Sequence, residues 1–171
     1  MIAEMLKEVI RPRSRWNVRC YDKFGNLKWE ELDLGNIWHD EGEEFVVDCL
    51  FDETQSVPVN YYLGLDARPA LAEADNLAAL SGEPSGDGYA REAVASDNTD
   101  WTNSKVGDNW RATSKEVTFT ASGGDWSAVL NLFLATSSDG TGKLLCSVAL
   151  SESRTIKDDD SLVVSLYVSV A

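Results

Sequence analysis

Histidine is almost missing from this 171-residue chain: His39 is the only one. A zinc site needs several His or Cys ligands at short spacing. Cys20, Cys49 and Cys146 are odd in number, widely separated and without a Cys-x-x-Cys pair. They read as unbridged, small buried hydrophobes of a protein made in a reducing cytoplasm. Neither Gly-x-Ser-x-Gly nor His-Glu-x-x-His occurs, so His39 reads as a surface or hydrogen-bonded histidine and no catalytic residue is nominated. Long apolar runs are also missing, and none approaches the roughly 18 residues of a membrane-spanning helix. The opening Met-Ile-Ala-Glu-Met-Leu-Lys places acid inside its apolar stretch and offers no small-residue cleavage site, so no secretory signal is expected. Cations are scarce: 15 Lys and Arg stand against 29 Asp and Glu, a net charge of −14. A body that acidic does not grip nucleic acid or an anionic membrane through its bulk surface.

The acids themselves nominate little. Glycoside hydrolysis needs two carboxylates across a cleft, and among 29 acids no pair stands out. Asp158-Asp159-Asp160 and Ser138-Asp139-Gly140 lack the spacing of a calcium loop and read as solvated turns. Gly82-Glu-Pro-Ser-Gly86-Asp-Gly88 is acidic and lacks a following Lys-Ser/Thr, so it reads as a turn-rich loop and not a phosphate cradle. No metal or cofactor is expected.

What is present is one domain's worth of chain with its charge unevenly divided. Residues 1–19 hold five cations (Lys7, Arg11, Arg13, Arg15, Arg19) and two anions (Glu4, Glu8), and the other residues hold ten cations and 27 anions. This marks a basic arm, residues 1–14, on an acidic body, residues 15–171. In the arm, Ile2, Met5, Leu6, Val9 and Ile10 follow the spacing of one helical face, and Pro12 ends the pattern. So short a helix is unstable alone in water. It has to dock on a partner, with Arg11, Arg13 and Arg15 beside it, or pack on its own body.

From Arg15 the period changes to two. Trp16, Val18 and Cys20, a turn at 22–26, then Leu27 and Trp29 read as a hairpin. Phe45, Val46, Cys49 and Leu50, spaced three and four apart behind Glu41, Glu43 and Glu44, predict one short helix over 41–51. Val57 to Leu65 reads as a strand, and 66–100 as a long excursion with a helical hint at 71–80. Alternation then returns at Val117 and Phe119, Leu130 to Leu134, Leu144 to Leu150, and Leu162 to Val170. The fold class is mainly β: an antiparallel β-sandwich, jelly-roll or immunoglobulin-like, with a short N-terminal helical arm and one short helix. Its core is expected to hold Trp16, Val18, Val117, Phe119, Leu132, Leu134, Cys146, Val148, Val164 and Leu166. Of six tryptophans, Trp16 and Trp29 suit the inner face of the hairpin. Trp101 and Trp110 lie in polar, turn-rich sequence and suit an interface, or stacking on sugar.

The stretch from Arg13 to Trp29, RSRWNVRCYDKFGNLKW, with Asp40-Glu41-Gly42 to Phe51, resembles small virion-associated proteins of tailed bacteriophages. Asn60 to Asp66, Asp75 to Pro84, Gly88-Tyr-Ala-Arg91, Ala112 to Lys115, Asn131 to Thr136 and Asp160 to Val168 continue the likeness. It spans most of the chain and brings no catalytic residues. The resemblance implies a non-enzymatic virion structural protein assembled in the host cytoplasm. A capsid decoration (cement) protein that binds the outside of the head is the first expectation. The alternative is a tail-fibre or tail-tip protein, with carbohydrate binding open. The partners implied are the major capsid protein or other virion proteins, and further copies in a homo-oligomer; nucleic acid and membrane are not. The partner-binding candidates are Ile2, Met5, Leu6, Val9, Ile10, Arg11, Arg13, Arg15, Trp101 and Trp110.

Overall fold

The computed structural model describes residues 12–52, 54–69 and 71–170. The stripe Ile2, Met5, Leu6, Val9 and Ile10, with Arg11, lies outside them. Two antiparallel sheets face each other. The first runs β2 (Leu27–Gly35), β1 (Pro12–Tyr21), β11 (Ser161–Val170), β7 (Asn109–Ser114), β6 (Trp101–Val106), with β8 (Val117–Thr120) also paired to β11. The second runs β3 (Ile37–Trp38), β10 (Leu144–Ile156), β9 (Trp126–Ala135), β4 (Asn60–Asp66), β5 (Glu92–Ala95). Sequence-adjacent β2 and β3 lie in different sheets, so the chain changes layer at Asn36. The short helix α1 (Asp40–Val47) follows directly.

The strand alternation explains the core. Trp16 faces Leu166 and Val18 faces Val164 across the β1–β11 ladder. Directly opposed residues share a face, so these pairs point together toward the second sheet. Leu132 and Leu134 of β9 stand opposite Val148 and Cys146 of β10, and Leu65 and Leu63 of β4. All ten residues expected in the core are buried. The first hairpin closes at Asp22, whose carboxylate accepts from the amides of Phe24 and Asn26, with Gly25 at φ +81°.

Three expectations need correction. Leu50, placed by spacing beside Phe45, Val46 and Cys49, is 69% exposed. The chain widens after Val47 into a π-helical turn, Asp48–Asp52, and the wider turn shifts the angular phase that a 3.6 period assumes. The strand read from Val57 begins at Asn60, leaving Val57 and Val59 outside it and exposed. The helical hint at 71–80 shrinks to one 3-10 turn, Leu77–Ala79, started by the Asn76 side chain.

The excursion at 66–100 is tied to the chain's own sheets. Leu77 packs with Phe133, Ala135 and Leu144 in a second apolar cluster. Gly64 is required beneath it, because a Cβ there would stand 2.2 Å from the Phe133 ring. Asp66 is fully buried and accepts from the amides of Arg68 (2.8 Å) and Gly82 (3.1 Å) and from the Arg68 guanidinium. Tyr89 stacks on Phe119, donates its hydroxyl proton to Glu83 and accepts from the Leu65 amide. The segment also contributes β5, paired to β4.

Candidate interaction surface

Register places several chain ends at one end of the sandwich. Pro12 opposes Val170. The β11–β7 ladder sets Ser169 against Arg111, and one further step brings Val170 level with Trp110. In the second sheet Tyr62 and Leu144 both oppose Ala135, so β4 begins where β9 ends and β10 begins. Ser14 Oγ lies 3.5 Å from Cys146 Sγ and joins the two sheets there. Residue 12, where the basic segment enters the fold, therefore shares an end with Trp110 and with the start of β4.

Helix α1 closes this end. Its first turn carries Asp40, Glu41 and Glu43, which favours a helix N-terminus. Glu41 Oε2 accepts from the amides of Leu77 (3.0 Å) and Leu144 (2.7 Å), fixing the helix to both the excursion and β10. Gly42 permits a close approach, since a Cβ would fall 2.2 Å from the Leu145 carbonyl oxygen. The inward side chain Phe45 meets Tyr61 edge-on, and Tyr61 meets Trp101 the same way at 6.0 Å. Val46 and Cys49 pack on the same core.

The other side of this element is apolar and uncovered. Val47, Leu50 and Phe51 are 53%, 69% and 79% exposed, and Val57 and Val59 are 60% and 83% exposed. Val47, Leu50 and Phe51 follow closely through the end of α1 and the π-helical turn. Phe51 and its neighbours thus form a patch, with Val57 and Val59 on the segment leading into β4. Large exposed apolar patches on soluble domains mark contacts. Sequence reading missed this surface because it assigned the helix one apolar face, whereas 45–51 is apolar on two.

The nominated residues separate. Trp110 is on the surface at 64% exposure. Trp101 is not its exposed companion: its ring is half-buried against Tyr61 and the core, because β6 turns it inward opposite Ser114. Arg13 and Arg15 belong to β1, as do Pro12 and Ser14, and both arginines are exposed on its outer face. Arg15 donates to the Asp33 carbonyl at 3.1 Å. Arg111, across Ser169 from Arg13, lies over the Tyr167 ring at 3.6 Å.

The other groups with candidate chemistry are mostly buried or paired. His39 is buried, with Nε2 2.8 Å from Ser147 Oγ. Desolvation lowers its pKa, and the backbone at Ala72 and Glu73 pulls the other way. Cys20 and Cys146 are buried free thiols, pushed up by burial to about 11 and about 12, which disfavours thiolate. Cys49 is a free thiol too, but half-buried and not enclosed as expected. A polar cleft of about 270 Å³ opens between Gly82–Ser85 and Asp125–Ser127. Its Glu83 pairs with Arg91, and the Lys157 ammonium holds Asp125 below the usual carboxylate value. Asp160 of the acidic turn is buried and pairs with Lys28. No helix among the described residues is long and apolar enough to cross a membrane.

The family described as "Podophage GP4 fiber I protein gp80" matches residues 38–167, from β3 into β11. The chain belongs to this family. It is a structural protein of a tailed-phage virion, as the resemblance implied. The part matched to the fiber I family contains α1, the exposed stripe and Trp110, and leaves 1–37 outside. No curated protein matches the chain.

Proposed function

We propose that this protein is a non-enzymatic component of a tail fibre, and not the head decoration protein that was the first expectation. The observation that carries the reading is the fiber I family match across 38–167, which takes in most of the sandwich. The structure supports a contact role. Its exposed apolar side chains at Val47, Leu50 and Phe51 and its exposed Trp110 lie on the surface, while His39, Cys20 and Cys146 are buried. Trp110 stands alone in its exposure, with Trp16 and Trp126 buried and Trp29, Trp38 and Trp101 half-buried. Tryptophan is enriched at protein interfaces, where one end of the ring is apolar and the other polar, and Trp110 fits such a contact. Other virion proteins and further copies of this chain are the partners, with residues 1–10 and the exposed arginines of β1 as docking elements. No cofactor is assigned.

The test is assembly without the protein. Particles made from a phage lacking this gene should keep stable, DNA-filled heads and lose a tail appendage in negative-stain images. Intact appendages with heads that burst on warming or dilution would return the protein to head decoration.

A further inference from the structure

The exposed apolar patch at the end of the sandwich has a complementary segment in the same sequence. Residues 1–10 carry the stripe Ile2, Met5, Leu6, Val9 and Ile10, with Lys7 set among Glu4 and Glu8, and the cations Arg11 and Arg13 follow directly. The patch has an acidic border, which Arg11 and Arg13 can meet. Glu43, Asp48 and Asp52 border Val47, Leu50 and Phe51, and none of the three makes an ion pair among the described residues. The last turn of α1 holds no cation, and Asp48 stands at its C-terminus. A helix C-terminus favours positive charge, so acid there is unfavourable until a cation arrives.

We propose that residues 1–10 of one copy seat as an amphipathic helix on the Val47–Leu50–Phe51 face of a second copy, with Val57 and Val59 as its margin. Three observations converge. The apolar stripe meets an apolar stripe, and Arg11 and Arg13, which follow the segment, meet the acidic border of the patch. Residue 12 enters β1 at the end of the sandwich that bears the patch, so every copy presents a segment and a receiving face at the same end. The residue before a proline is disfavoured from the helical region, so Pro12 separates the helical stripe of residues 1–10 from β1 in the sequence and makes it a unit of its own. A ten-residue helix is about 15 Å long and covers one such face. It is too short to be stable alone, which makes seating and folding one event. The fibre reading enters only through the need for more than one copy, since fibres are built from repeated chains.

Two variants of the full chain test the pairing. A deletion of residues 2–10 keeps the face and lacks the segment; the double variant L50D/F51D keeps the segment and spoils the face. Leu50 and Phe51 are exposed, so both variants should retain the wild-type circular dichroism and melting curve. Sedimentation velocity should show an oligomer for the wild type and each variant weakened in self-association by at least about tenfold, roughly the effect of losing one good anchor. Mixed together, the two variants should recover a complex, because one supplies the segment and the other the face, and raised salt should weaken it. A monomeric wild type whose melting temperature falls in both variants would overturn the proposal in favour of packing within one chain. An oligomer unaffected by either change would overturn it in favour of another interface. Either result leaves the fibre assignment standing, and that assignment fails separately if the particle lacking the gene keeps its appendages.

Discussion

Phe45 meets Tyr61 edge to face, with ring centroids 6.5 Å apart and planes at 86°. Edge-to-face pairs add to the burial of both rings, and this one fastens the sole α-helix among the described residues to β4. It also sets which side of the helix faces out. With Phe45 turned inward, Val47, Leu50 and Phe51 are left at the surface.

Replacing Phe45 by alanine should cost about 3–5 kcal/mol in denaturant unfolding, the range for truncating a buried aromatic. Phe51→Ala, on the exposed side, should change stability by less than about 0.5 kcal/mol. Equal losses at both positions would mean that Phe51 is covered within its own chain.

The excursion hangs on Asp66. Its carboxylate is buried and accepts from the Arg68 and Gly82 amides, and Arg68 also pairs with Asp75. Removing one partner of a buried, hydrogen-bonded charge leaves the others unpaired. Asp66→Ala should destabilise the protein by about 3–5 kcal/mol. Hydrogen exchange should accelerate first at 67–82, while the β1–β11 ladder stays protected. Uniform acceleration across both sheets would show that the excursion is not a separable unit.

His39 makes stability depend on pH in a known direction. Burial depresses its pKa below the ordinary 6.5, so the unfolded chain binds a proton that the native state refuses. The contribution is present above the unfolded value and is lost as pH falls through it toward the folded one. Because His39 is the only histidine, the loss between about pH 7 and pH 5 should be shallower in His39→Gln than in wild type. Parallel stability curves would contradict the burial of a neutral imidazole.

How far the fold can be read from sequence follows from the length of its alternating runs. β1, β9, β10 and β11 span ten residues or more. Over that length a period of two is unambiguous, and the residues named from it, from Trp16 to Leu166, are buried. The helix at 40–52 was legible in place but not in phase. A π-helical turn has no composition signature of its own, so spacing alone points Leu50 inward while the structure leaves it exposed. Trp101 and Trp110 have similar polar neighbours in sequence. They part only because Trp101 opposes Ser114, whereas Trp110 opposes Lys105 at the sheet's end. That is a property of pairing, which a linear reading does not contain. Arg91 is another such case: it reaches Glu83 and the carbonyls of Ser137 and Asp139 across the excursion, a contact set by tertiary structure.

The most direct test of the central claim is the position of this chain in the virion. An averaged cryo-electron microscopy map of the particle should accommodate this two-sheet sandwich in an appendage of the tail. Density for the same sandwich on the outer surface of the head, between capsomers, with none at the tail, would contradict it.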